Sequence, residues 1–389
     1  MLRVLTLSTL FPDSARPTFG VFVEQQTLGL AARGDVDLEI VAPIGISPWP
    51  LSLHPHYRRF AALPEQEFWK GVIVHRPRFP ILPGIGGRWM PGAMARALLP
   101  LLASIRERFA FDVIDAEFFY PDGPAAMRLA KAFDVPFSVK ARGADIHHWG
   151  TRRGCAGQIR KAGEGAAGLL AVSEAIKQDM VGLGIPGGRI LVHYTGIDRT
   201  RFKPVDRAET KAGLGVAGPL LVTVGALIPR KAQNLVIDAL VSVPEATLIL
   251  VGDGPLRDAL ETQIVRRTLG DRVRLAGNLP HDEVARMIAA ADVMVLPSSS
   301  EGLANAWVEA LACGTPIVIA DVGGAREVVD RPEAGALAAR DPSAIATAIN
   351  AILADPPDPQ AVMKSVERFS WERNSETLFA HLSGLVEGQ

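Results

Sequence analysis

Short apolar runs alternating with helical stretches, a restart of that alternation near residue 220, and a length of 389 residues predict an α/β protein of two domains. Each domain is expected to be a Rossmann-like, doubly wound parallel sheet, the two facing a cleft, because strands buried on both faces read as continuous apolar runs. In the first half, Val4–Leu7, Leu38–Ala42, Val72–His75, Val113–Asp115, Phe137–Val139, Leu169–Val172 and Ile190–His193 read as strands. Helices are predicted near 21–33, 92–108, 121–132 and 173–183. In the second half, strands are predicted at Leu220–Val224, Thr247–Val251, Val273–Leu275, Val293–Leu296 and Ile317–Ala320. Residues 45–110 give little periodic signal. The loop Gly196–Pro204, rich in Gly, Asp, Arg and Pro, is the natural junction. Residues 1–198 then form the first domain and 199–370 the second, with a last helix at about 371–389.

Hydrophobic residues make up 48% of the chain, ample for two cores. A formal net charge of −1 lacks the basic excess of a nucleic-acid binder, so no such partner is expected. Residues 1–170 lean basic, with 20 Lys/Arg against 15 Asp/Glu, which would suit an anionic lipid surface or a charged acceptor. Cys155 and Cys313 are the only cysteines, so a disulfide framework is absent and a reducing compartment fits. The opening Leu2–Leu10 is too short for a signal peptide, and no apolar run reaches the roughly 18 residues of a spanning helix. The expectation is a cytoplasmic protein, at most peripheral at the inner membrane face.

The richest segment runs from Pro297 to Pro316. Pro297 and three serines end the strand at Leu296, apolar periodicity resumes at Trp307, Val308 and Leu311, and Gly314 stands where a helix C′ glycine belongs. Glu301 thus precedes a helix and Glu309 lies inside it. Eight helical steps would separate them by about 12 Å, the distance from ribose to sugar in a nucleotide sugar. Between them, Gly302, Leu303, Ala304 and Asn305 bring the free N–H groups and positive dipole end of the helix, suited to a phosphate.

With Gly323-Gly324 and Glu327 following, this segment resembles the E-x7-E signature of the family 4 retaining glycosyltransferases, which have the GT-B fold. The resemblance covers most of the chain, densely from about 172 to 330. It implies a donor site in which Glu309 holds the ribose and Glu301 orients the sugar. Lys231 matches the family's phosphate-binding Lys, whereas Ala226 replaces its usual Arg, and neighbouring Arg230 is the candidate substitute. Gly277 and Asn278 match the segment along the nucleotide base. Val251–Leu256 matches a turn whose glycines are as well explained by tight geometry as by ligand contact. In the first domain, Gly20 matches the glycine that approaches the donor phosphate. Arg142-Gly143-Ala144-Asp145 matches the family's H-G-x-D motif with Arg in place of His, which puts Arg142 and Asp145 among the catalytic candidates. The last helix is implied to cross back onto the first domain.

What the resemblance implies is transfer of a sugar, with retention, from a UDP- or GDP-linked donor to an acceptor hydroxyl. The acceptor would be a glycan or lipid-linked glycan of cell-surface polysaccharide synthesis. Lys231, Arg230 and the helix N-terminus would stabilise the leaving diphosphate, so neither metal nor cofactor is expected. Asp35-Val36-Asp37 sits in an ordinary acidic turn and is not read as a metal motif. The rivals are a sugar-nucleotide epimerase of the same fold and a non-catalytic sugar-nucleotide-binding protein. A nicotinamide dehydrogenase is excluded earlier, since neither first-strand loop has G-x-G-x-x-G. Trp49, Trp69 and Trp89, with Arg76, Arg78, Arg88 and Arg96, read either as core aromatics with solvated arginines or as an acceptor wall or membrane-facing surface.

Overall fold

A computed structural model describes every residue except 18, 83, 85, 86 and 389, and the side chains at 55 and 56 also lie outside the description. The chain divides into two compact units, residues 1–196 with 371–389, and residues 197–370.

The first unit contains strands β1 (Leu2–Leu7), β2 (Val36–Val41), β3 (Ile44–Ile46), β4 (Gln66–Trp69), β5 (Val72–His75), β6 (Arg78–Pro80), β7 (Val113–Ala116), β8 (Phe137–Ala141), β9 (Gly168–Ala171) and β10 (Ile190–Val192). Eight of them form one sheet in the order β10-β9-β8-β7-β1-β2-β5-β4, parallel except for the edge strand β4. From β1 the chain winds one way through β2 and the other way through β7. The crevice of this sheet therefore lies beyond the carboxyl ends of β1 and β7. The helix Trp371–Glu387 returns to pack on Val21–Ala31, burying Leu378 and Leu382 beside Val23 and Leu30. Its His381 lies on Gly168, where a Cβ would overlap the imidazole, and meets Ser138 Oγ at 3.0 Å.

The second unit holds β11 (Leu220–Val224), β12 (Thr247–Val251), β13 (Val273–Gly277), β14 (Val293–Leu296), β15 (Ile317–Ile319) and β16 (Gly335–Leu337). All run parallel in the order β13-β12-β11-β14-β15-β16, the 3-2-1-4-5-6 order of a dinucleotide-type sheet. The switch point falls between β11 and β14. Their apolar cores, such as Leu221, Leu248 and Val293, are fully buried, as helices on both faces require.

Several elements escaped the sequence. β3 and β6 form a separate parallel pair, and β16 and β4 are edge strands, each of only three or four residues and too short to show a period. In β4 the apolar Phe68 faces solvent, which inverts the pattern that would have revealed it. The helix Pro55–Ala61 and the helix Ala156–Gly165 were also missed, and the helix predicted from 92 begins at Met90. Among the described residues no helix is long and apolar enough to cross a membrane.

Candidate active site

In the second unit, adjacent β11 and β14 deliver two loops side by side. The β11 loop turns through Gly225 (φ 151°) into a short 3-10 turn, Pro229–Lys231, before the helix Gln233–Leu240. The cations therefore lie one turn ahead of the α-helix. The two loops are tied by Ser299 N–H donating to the Arg230 carbonyl at 2.8 Å. Arg230 Nη1 donates to the Ser300 carbonyl at 2.6 Å. Glu301 Oε1 lies 2.6 Å from Lys231 Nζ and 2.9 Å from Arg230 Nη1, with only 9% of its side chain exposed. Burial alone would raise its pKa, but the two cations outweigh it and hold the carboxyl below its usual range. One carboxylate between two cations leaves a formal charge of +1.

Beyond Glu301 the helix Asn305–Ala312 begins at Ala304, which has no capping side chain. The N–H groups of Asn305 and Ala306 have no partner among the described residues. Half-buried Glu309 makes no side-chain hydrogen bond among them either. Its burial pushes its pKa up to about 7 against the opposing charge of Arg201. The helix ends as its sequence implied: Gly314 (φ 73°) donates to Leu311 O at 3.0 Å and Thr315 to Ala310 O at 2.9 Å, a Schellman closure. Gly323 supports Glu301 from behind. At φ 51° its α-carbon backs onto the Glu301–Gly302 carbonyls so closely that a Cβ would overlap the Glu301 oxygen, and Gly324 N–H donates to Gly302 O at 2.7 Å.

Gly252 and Gly254 have a structural role. Gly252 packs on the Gly225 carbonyl and Gly254 on Leu227, while Leu227 N–H donates to Asp253 O at 3.0 Å. Gly277 (φ 69°) ends β13, bonded through its carbonyl to Gly252 N–H, and Asn278 is exposed beside it. The ends of β13 and β14 are three strand spacings apart, roughly 14 Å.

In the first unit, Gly20 (φ 68°) is the N-cap of the helix Val21–Ala31 and packs on the Leu10 carbonyl, where a Cβ would overlap it. Asp145, the other candidate of the Arg142-Gly143-Ala144-Asp145 motif, lies at the end of the loop after β8. It is fully buried and accepts N–H bonds from Phe119 (2.8 Å), Gly143 (2.8 Å), Arg142 (3.0 Å) and Ile146 (3.1 Å). Those four bonds fix the shape of the loop. Arg142 is likewise engaged: it pairs with buried Glu117 and donates Nε–H to the Glu117 carbonyl at 2.7 Å, with Phe22 stacked 4.9 Å from its guanidinium. His147 bonds Asp179 at 2.8 Å. Asp35 pairs with Arg33 at 2.9 Å, and the described residues contain no group of three or more potential metal ligands.

The comparisons with known proteins fit one to each unit. The model for glycosyl transferases group 1 matches residues 206–369, and that for glycosyltransferase family 4 matches residues 20–201. The chain belongs to the group 1, family 4 glycosyltransferases. Among its relatives is TuaC of Bacillus subtilis (strain 168), named for teichuronic acid biosynthesis, 28% identical over 90% of this chain and 88% of that protein. A D-inositol 3-phosphate glycosyltransferase of Geodermatophilus obscurus is 35% identical over 51% of this chain and 48% of its own length. In fold, sucrose-phosphate synthase from Thermosynechococcus elongatus aligns over the whole of both chains with a TM-score of 0.84 at 21% identity. HepE of Anabaena, solved with UDP, aligns over 99% of this chain and all of its own with a TM-score of 0.75 at 20% identity. The architecture is GT-B.

For a family 4 glycosyltransferase, the buried network behind Arg142 is what sequence reasoning missed. Lys140 Nζ, wholly buried, donates to Gln26 Oε1 at 2.6 Å and meets His193 Nδ1 at 2.9 Å, and Gln26 bonds Glu117. Burial lowers the Lys140 and His193 pKa values and raises that of Asp115, each well away from its ordinary range. The signal was present: Lys140 and Asp115 interrupt apolar strands at their carboxyl ends, where charge has no structural reason to be.

Proposed function

We propose that this glycosyltransferase moves a sugar, with retention at the anomeric carbon, from a UDP- or GDP-linked donor to a hydroxyl of a glycan or lipid-linked glycan in cell-surface polysaccharide synthesis. The observation that carries the donor side is the Glu301–Lys231–Arg230 trio, net positive and set beside an uncapped helix start at the β11/β14 switch point. A diphosphate arriving there meets two cations and unpaired N–H groups, preorganised for the charge that develops on the leaving group. Glu301, kept ionised by those cations, then orients the sugar, and Glu309 accepts the ribose hydroxyls. Arg230 supplies the guanidinium that Ala226 lacks: Ala226 is exposed and offers only its carbonyl, to Gln233 Nε2 at 2.9 Å. The cations do the work a metal does elsewhere, so the reaction proceeds in EDTA. The UDP and UDP-glucose complexes of HepE and the naming of TuaC support the donor class and the polysaccharide setting.

The test is transfer from a panel of UDP- and GDP-sugars to membrane-derived glycolipid, with the anomeric configuration of the product read by NMR. Lys231→Ala is expected to lower turnover by roughly 10²–10³. An inverted product, or full activity without Lys231, would overturn the reading.

A further inference from the structure

Residues 40–106 hold eight Lys/Arg against two Asp/Glu, in a chain whose formal net charge is −1. Part of this excess is structural. Arg76 is buried against Glu67 and the Pro12 carbonyl, and Arg78 gives its guanidinium to the carbonyls of Leu63 and Arg76. Arg58, Arg59, Arg88 and Arg96 are exposed.

The same region turns large apolar side chains outward. Trp49 is 78% exposed, Leu51 51% and Leu53 55%, three within five residues. A single exposed leucine is ordinary; a cluster of this kind has a partner. The arginines lie beside it: Arg58 Nη2 reaches the Leu53 carbonyl at 3.4 Å. β3 and β6 run parallel, with Ile81 N–H bonded to Ile46 O at 3.0 Å. Exposed Leu82, one residue past that bond, therefore lies near the chain leaving β3. No carboxylate occurs between Glu39 and Glu65.

We infer that Trp49, Leu51 and Leu53, with Arg58, Arg59 and Leu82, form a docking surface for an anionic lipid bilayer. Trp49, Leu51 and Leu53 enter the boundary between headgroups and acyl chains, and Arg58 and Arg59 meet lipid phosphates. Trp and Leu beside Arg is the composition of an interfacial anchor. Charge decides against the other occupants. A second copy would set the same arginines against themselves in a two-fold contact, and a soluble polyanion gains nothing from an outward Trp–Leu cluster. This inference stands apart from the donor reading.

The experiment is flotation of the full chain with vesicles of phosphatidylcholine, with and without phosphatidylglycerol. Wild-type protein is expected to float with the anionic vesicles and to stay behind with the neutral ones. Arg58→Glu with Arg59→Glu, and separately Trp49→Ala with Leu53→Ala, are each expected to lower partitioning roughly tenfold or more, with circular dichroism and thermal unfolding unchanged. Failure of the wild type to float with anionic vesicles overturns the inference. So does partitioning that survives loss of Trp49 and Leu53, which assigns the surface to polyanions. A wild-type dimer that dissociates in these variants assigns it to a second copy.

Discussion

At Glu309 a carboxylate with no hydrogen-bonding partner among the described residues has its pKa raised by burial, which bears on the pH dependence of donor binding. Its pKa of about 7 means the free site is largely protonated below that pH. Ribose hydroxyls donate best to the ionised form, so nucleotide affinity should fall as pH drops through 7, by up to tenfold per unit. Titration of the nucleotide across this range should show that slope in the wild type and lose it in Glu309→Gln. Asp122 gives a second dependence, on stability. Burial raises its pKa to about 8, against the Thr9 N–H that it accepts at 2.9 Å. Between about pH 4 and 8 the folded protein retains a proton that the unfolded chain has lost, so stability falls as pH rises. The slope from this one group approaches about 1.4 kcal/mol per pH unit. Asp122→Asn keeps an acceptor for Thr9 and should flatten that part of a melting-temperature profile.

At the scale of elements, the loops of the proposed donor site were the legible part. Pro297, Glu301, Glu309 and Gly314 are spaced along one strand-turn-helix unit, so their linear order already carried their geometry. The pairing of Lys231 with Glu301, 70 positions apart, was not legible as a contact, because it depends on β11 lying beside β14. The surroundings of the motif Arg142 to Asp145 were not legible either. Its residue types suggested chemistry, but the contacts that bury it come from Phe119, Glu117 and Gln26 on other elements. Gly323 is a sensitive backbone position beside Glu301. Alanine at φ 51°, against the Glu301 carbonyl, forces the loop to shift. Gly323→Ala should therefore cost turnover and donor affinity together, measured by steady-state kinetics, while the far-ultraviolet spectrum is preserved.

The two large sheets share the same winding, and the core of the first unit is covered by a helix from the last 19 residues of the sequence. That return was expected from family resemblance, whereas its packing rests on Leu378, Leu382 and the His381–Gly168 contact, which local periodicity does not reveal. A chain ending at Ser370 should leave Val23 and Leu30 uncovered. Residues 1–196 should then become protease-sensitive while the 197–370 unit, whose core is its own, resists digestion. Uniform resistance would mean that the helix contributes little to the first core. The proposed donor site of the second unit is tested most directly by calorimetric titration of the protein with UDP and GDP separately, each repeated on Glu309→Ala. Binding of one nucleotide, weakened by the substitution, is the predicted result. Folded wild-type protein that binds neither nucleotide would contradict it.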